Sequence, residues 1–233
     1  MSRSNIVATA TRPRESVTTA RLMRFINRTP VHITLAIIAI NVFCFFYEIS
    51  LPHYLQNRFI LHYALVPDQF HLTALATSMF LHGGWLHIIG NMWFLWVFGS
   101  HIEEAMGPVK FGIFYLACGI LSAIVQLAMT FGSPVPTLGA SGAIAGVMGA
   151  FLMLYPRARV VTLIFIIIFI TTMELPAAFM LAYWFAIQLL SGLTSFGNIN
   201  TTGGVAWFAH VGGFLAGILL LRFFVSKRPR YSY

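Results

Sequence analysis

The chain has 233 residues, of which 58% are hydrophobic and only 9% charged, and its mean hydropathy is +0.82. That is too apolar for a water-soluble globular domain and places the chain in a bilayer. The net charge of +8 does not indicate nucleic acid, because the basic residues gather at the two chain ends and beside apolar runs rather than on a face interleaved with aromatics; they read as topology and lipid contact.

Residues 1–30 carry Arg3, Arg12, Arg14, Arg21, Arg24 and Arg28 against a single acid, Glu15, with no apolar run of signal-peptide length. They read as a basic tail held on the inner side. The Arg/Ser/Thr-rich composition also resembles an organellar transit peptide, and this alternative is kept.

Six crossings are expected at about 31–50, 84–103, 110–131, 138–155, 176–194 and 206–226, each ending near Gly, Pro or charge. The fold class is an all-α membrane protein, because lipid cannot satisfy open backbone groups. The layout is a tail 1–30, a transmembrane domain 31–226 and a basic tail 227–233. Between the first two crossings, the linker 51–83 mixes Pro52, Tyr54, Phe59, Tyr63, Pro67 and Phe70 with polar residues and is expected partly in the outer interface. The apolar stretch 160–173 is too short for a crossing and suits an interfacial or re-entrant piece. Six crossings put the N-terminal arginines, Arg157, Arg159, Arg222, Lys227, Arg228 and Arg230 on one side, so both termini are expected in the cytoplasm and the loop 195–205 outside.

A polar or ionisable side chain inside a crossing costs several kcal/mol unless paired or hydrated, so each demands a reason. Ser141 in TLGASGAIAG starts the fourth crossing, His210 in AWFAHVGG lies near the start of the sixth, and His87 and Asn91 in LHGGWLHIIGNM near the start of the second. At a rise of about 1.5 Å per residue they reach one level, roughly 5–10 Å below the outer surface of the apolar zone. Gly142 and Gly146, and Ala209, Gly213 and Gly217, are spaced by four, which lets helix backbones approach. This brings Ser141 within reach of His210. A serine hydroxyl is a weak nucleophile until a base takes its proton, and histidine suits that role.

None of the six acids, Glu15, Glu48, Asp68, Glu103, Glu104 and Glu174, sits naturally behind His210, so a dyad is expected rather than a triad. Asn91, His87 and the Ser141 backbone N–H are the available oxyanion donors. His82 is read as orienting the outer linker, and Asn41, Gln126 and Gln188 as interhelical hydrogen-bonding residues. Cys44 and Cys118 read as packing residues, and no Cys/His/acid cluster has metal-ligand spacing, so neither metal nor organic cofactor is expected.

Three segments, Gly139–Gly142 (GASG), His82, His87 and Asn91 (H-x4-H-x3-N), and Ala209–Gly213 (AHVGG), resemble the three signatures of the rhomboid intramembrane serine proteases, in that family's order and on its second, fourth and sixth crossings. The resemblance covers about residues 30–226. It implies Ser141 as nucleophile, His210 as base, and His87 and Asn91 as oxyanion donors, with His82, Gly139, Gly142 and Gly213 as structural neighbours. It further implies transmembrane protein substrates, a half-submerged linker 51–83, lateral entry gated by the fifth crossing with loop 195–205, and Glu103 tying the second crossing to a cytoplasmic loop. By analogy it favours a bacterial inner membrane, with a mitochondrial inner membrane as the alternative; oligomeric state stays open. Four residues after the nucleophile some members carry an aromatic that stacks on the catalytic imidazole, where this chain has Ala145. A transporter or channel fits less well because the polar residues crowd the outer half, and a non-cutting helix binder is disfavoured by the presence of both Ser141 and His210.

Overall fold

A computed structural model of the chain describes residues 31–166, 169–195 and 206–225. The tails 1–30 and 227–233, and the loop 195–205 beyond its first residue, lie outside the described residues. Helices stand at all six expected positions. They are α1 (His32–Ser50), a second run made of α4 (Trp85–Phe94), a π-helical turn Leu95–Gly99 and α5 (Ser100–Met106), then α6 (Pro108–Met129), α7 (Ser141–Leu154), α8 (Ala177–Ser195) and α9 (Trp207–Phe224). Four of them, α1, α6, α8 and α9, are each long and apolar enough to cross a membrane. The α7 helix has only 14 residues, yet every residue from Gly142 to Phe151 is buried. Enclosed by other helices rather than lipid, it need not match the bilayer thickness, and the irregular backbone before it is tolerated for the same reason.

Glycines set the depth of packing at this centre. A Cβ at Gly213 of α9 would overlap the carbonyl oxygen of Gly142 on α7, one at Gly217 would overlap that of Gly146, and one at Gly146 would also meet Cys118 of α6. The two helices therefore touch backbone to backbone, as small residues at this spacing permit. Elsewhere in the bundle a large-residue core fills in around Phe45, Phe98, Phe111, Phe114 and Tyr115, all almost fully enclosed.

The linker between α1 and α4 folds as α2 (His53–Tyr63), a 3-10 turn Pro67–Gln69, α3 (Ala74–Thr77) and a second 3-10 turn Ser78–Phe80. No residue of α2 is buried, whereas Ala64, Leu65, Val66 and Leu81 are. Leu65 and Thr137 exchange backbone hydrogen bonds at 2.9 and 2.8 Å, the Asp68 N–H donates to the Ser133 carbonyl, and the Gly139 N–H donates to that of Ser78 at 2.9 Å. The outer linker thus fixes the segment that leads into Ser141.

One sequence expectation gains its secondary structure here, and one is corrected. The apolar stretch 160–173, expected as an interfacial or re-entrant piece, is extended: β1 (Arg159–Ile166) and β2 (Phe169–Pro176) form an antiparallel pair in which Arg159 faces Pro176 and Ile166 faces Phe169. Its run of β-branched residues favours strand over helix. Because the chain leaves and returns at one end of the bundle, the stretch adds no crossing, but the fold is not purely helical. Glu103 ties to the foot of α1 rather than to a loop: its carboxylate accepts the N–H groups of Ile33 and Thr34 at 2.9 and 2.8 Å. A carboxylate on otherwise unpaired donors at a helix N-terminus is favoured by both hydrogen bonding and the helix dipole.

Candidate active site

Ser141 is the first residue of α7 and His210 the fourth of α9. The seam between these helices sets their separation: Ser141 Oγ lies 2.7 Å from His210 Nε2. Both are half-buried and line a cavity of about 650 Å³ together with His87, Asn91, Gln126 and Trp184. Five helices, α4, α6, α7, α8 and α9, and the loop before α7 converge on it.

The α9 N-terminus is held from the side. Gln126 of α6 accepts the Ala209 N–H at 3.0 Å through its buried Oε1, satisfying one of the donors that a helix start leaves unpaired. Gln126 is thus interhelical, as expected. Asn41 is not: its Nδ2 donates to Ile37 O of its own helix at 2.8 Å.

Asn91 is 8% exposed, and its Nδ2 has no hydrogen-bond partner among the described residues. A buried unmatched donor costs about 1–3 kcal/mol, so its persistence at a cavity wall calls for a role. His87 sits one turn earlier on the same face. Its ring packs so tightly on the Gly139 backbone that a Cβ there would come within 2.7 Å of Nε2. Gly139 also has φ of +124°, a left-handed conformation that favours glycine. The GASG segment is therefore locked by two independent requirements at Gly139 and by contact of Gly142 with Ser122.

His82 lies in the turn before α4, fully buried, with its ring edge-on to His87 at 5.2 Å. Burial, with His87 beside it, pushes its pKa down to about 4, so it is neutral at physiological pH. Its backbone N–H donates to Glu48 at 3.3 Å. This links the linker to α1 through the main chain, while neither nitrogen of the buried His82 ring has a hydrogen-bond partner among the described residues.

Two contacts to His210 were not singled out by sequence. Gln188 Oε1 on α8 is 2.6 Å from His210 Nδ1, and the Trp184 ring, one turn earlier, lies 5.6 Å from the imidazole at 40°. Gln188 was legible only as a polar residue in a crossing. The signal that pointed here was Ala145, whose methyl leaves the imidazole without an aromatic from α7; the ring is supplied from α8.

Fold and cavity together define an integral membrane protein with a polar site enclosed among its helices. A family model described as the Rhomboid domain matches residues 69–227. The chain is 30% identical over 188 residues to RHOMBOID-like protein 1 of Arabidopsis thaliana, covering 77% of this chain and 41% of that one. It is 27% identical over 176 residues to Rhomboid protein 1, mitochondrial, of Saccharomyces cerevisiae, covering 73% and 47%. It is 32% identical over 149 residues to the rhomboid protease GluP of Bacillus subtilis, covering 61% and 24%. The chain belongs to the rhomboid family. It spans less than half the length of these three relatives.

Proposed function

We propose that the protein is an intramembrane serine endopeptidase that cuts the transmembrane helices of other membrane proteins near the outer face. The observation that carries this reading is the 2.7 Å approach of Ser141 Oγ to His210 Nε2 beside a cavity inside a helix bundle. In the first step His210 Nε2 takes the hydroxyl proton as Oγ attacks the scissile carbonyl. The developing oxyanion is received by the free Asn91 Nδ2, by His87 and by the Ser141 N–H at the start of α7, where the helix dipole adds to the hydrogen bonds. His210 then returns the proton to the leaving amine, and water completes the cycle from the acyl-enzyme.

A helix presents no free carbonyl to Ser141, so substrates are expected to carry small or helix-weakening residues near the cut. The domain spans 31–226, flanked by basic tails 1–30 and 227–233, with both termini cytoplasmic in a bacterial inner membrane. Mitochondrial relatives among the matches favour the mitochondrial inner membrane as the second reading of location.

The test is reaction of detergent-purified protein with a fluorophosphonate or isocoumarin probe, with the label located by mass spectrometry. Label on Ser141 that vanishes in Ser141→Ala and His210→Ala is the expected result. A well-folded wild type that stays unlabelled overturns the reading in favour of a non-cutting helix binder.

A further inference from the structure

Behind the base, His210 Nδ1 meets Gln188 Oε1 at 2.6 Å, and Gln188 is 5% exposed. We propose that Gln188 is the positioning residue of the catalytic base, an uncharged third member whose side-chain carbonyl holds the Nδ1 proton so that Nε2 offers its lone pair to Ser141. The inference rests on the protease reading above.

A neutral imidazole has one N–H, and an amide oxygen can only accept, so the proton between these atoms belongs to Nδ1. Nε2 is then left as the acceptor for the Ser141 hydroxyl 2.7 Å away. When Oγ attacks, its proton moves to Nε2, and the imidazolium keeps its Nδ1–H on Gln188. The Nε2 proton then passes to the leaving nitrogen. In the second half, water gives a proton to Nε2, and that proton returns to Oγ. Gln188 gains and loses nothing in the cycle; it fixes tautomer and ring angle.

No other described residue supplies this contact. Ala145 offers a methyl, and the buried acids Glu48 and Glu103 bond to His82 and to the start of α1. Trp184, four residues before Gln188 and so on the same face of α8, lies against the imidazole at a tilt of 40° and limits how the ring can turn. An amide is the suitable group at this depth: it accepts with the geometry of a carboxylate and avoids the penalty for burying a charge among apolar helices.

The experiment uses the purified full chain with a cleavable transmembrane peptide, comparing wild type, Ser141→Ala, Gln188→Leu and Gln188→Glu. Groups facing His210 are Ser141 of α7, Gln188 and Trp184 of α8, Asn91 and His87 of α4, and Gln126 of α6 near Ala209; of these only His87 titrates, and it is common to all variants. Gln188→Leu, similar in size, leaves the His210 Nδ1–H without its acceptor and is expected to lower the melting temperature by a few degrees while the protein stays folded, KM holds and kcat falls roughly 100-fold, the lower end of what a general base contributes. Gln188→Glu keeps an acceptor. It is expected to recover most of kcat at alkaline pH and to move the acid limb of kcat to higher pH, since a carboxylate stabilises the imidazolium that cannot act as base.

A folded Gln188→Leu with wild-type kcat overturns the proposal. So does Gln188→Glu that is no better than Gln188→Leu, because an amide turned to donate to Nδ1 cannot be replaced by an acceptor. If Ser141→Ala cuts as well as wild type, or the folded wild type does not cut, the protease reading itself fails and this inference falls with it.

Discussion

Along one side of α9, Gly213 and Gly217 lie against the backbone carbonyls of Gly142 and Gly146 on α7. Along another, α8 is held to the same helix through side chains: Phe185 stacks on Phe214 at 4.7 Å, and Trp184 lies over His210. The first seam has no rotamers to adjust, so it fixes the distance between Ser141 and His210 as rigidly as a helix pair allows. The second is made of rings, and α8 turns Phe179, Tyr183, Leu190 and Leu193 outward at 60% exposure or more. The spacing of Ser141 and His210 is thus set by backbone contact, whereas Gln188 and Trp184 reach His210 from a helix seated through side chains.

The largest effect is expected at the first seam. Gly217→Val inserts a branched side chain where the Gly146 carbonyl already sits. Overpacking of this kind destabilises by about 3 kcal/mol, and Ser141 and His210 are expected to lose register, with no probe labelling. A thermal melt in detergent checks the first part and gel labelling the second. A variant that melts and labels like wild type would break the contrast between the seams.

Next in size is Asn91→Ala, which touches neither seam. Because Asn91 Nδ2 has no partner among the described residues, its loss removes no hydrogen bond seen there, and the melting temperature is expected to hold. Turnover is expected to fall by about 100-fold or more, the loss typical of one oxyanion donor. Steady-state cleavage of a transmembrane peptide measures this. Full activity would make Asn91 a structural residue and leave its unmatched amide unexplained.

Hydropathy alone located the six helices to within a few residues, because in lipid the length of an apolar run and the charge or Gly/Pro that ends it leave few choices. Ser141, His210, His87 and Asn91 were legible for a related reason: polar groups inside apolar helices stand out, and the glycines at four-residue spacing marked which helices meet. What was not legible depends on rotation and partner. Nothing in the α8 sequence says that Gln188 rather than Leu189 or Leu190 faces α9, so Gln188 read only as a generic interhelical donor or acceptor. Likewise, Glu103 read as an acid at the end of the second crossing that the resemblance ties to a loop, but its partners are backbone N–H groups at the foot of α1, which carry no side-chain signal. The 160–173 stretch was ambiguous because short apolar runs suit strand and helix alike; its Val, Thr and Ile content was the usable clue.

The smallest effect sharpens the comparison most. Phe185→Leu at the ring-built seam trims one aromatic from a partly buried stack on Phe214, and the expected loss of stability is about 1 kcal/mol, in line with a modest volume change in a tolerant site. Phe185 does not touch Ser141, so if α8 served only as packing, turnover would follow the small stability loss and stay near wild type. If α8 also carries the residue that orients His210, loosening its seat lowers kcat severalfold through Gln188. Combining Phe185→Leu with Gln188→Leu separates the two cases, because sites that act through one contact are not additive. The double variant is expected to have the kcat of Gln188→Leu alone. A further drop equal to that of Phe185→Leu by itself would show that the ring seam reaches the site by a route other than Gln188.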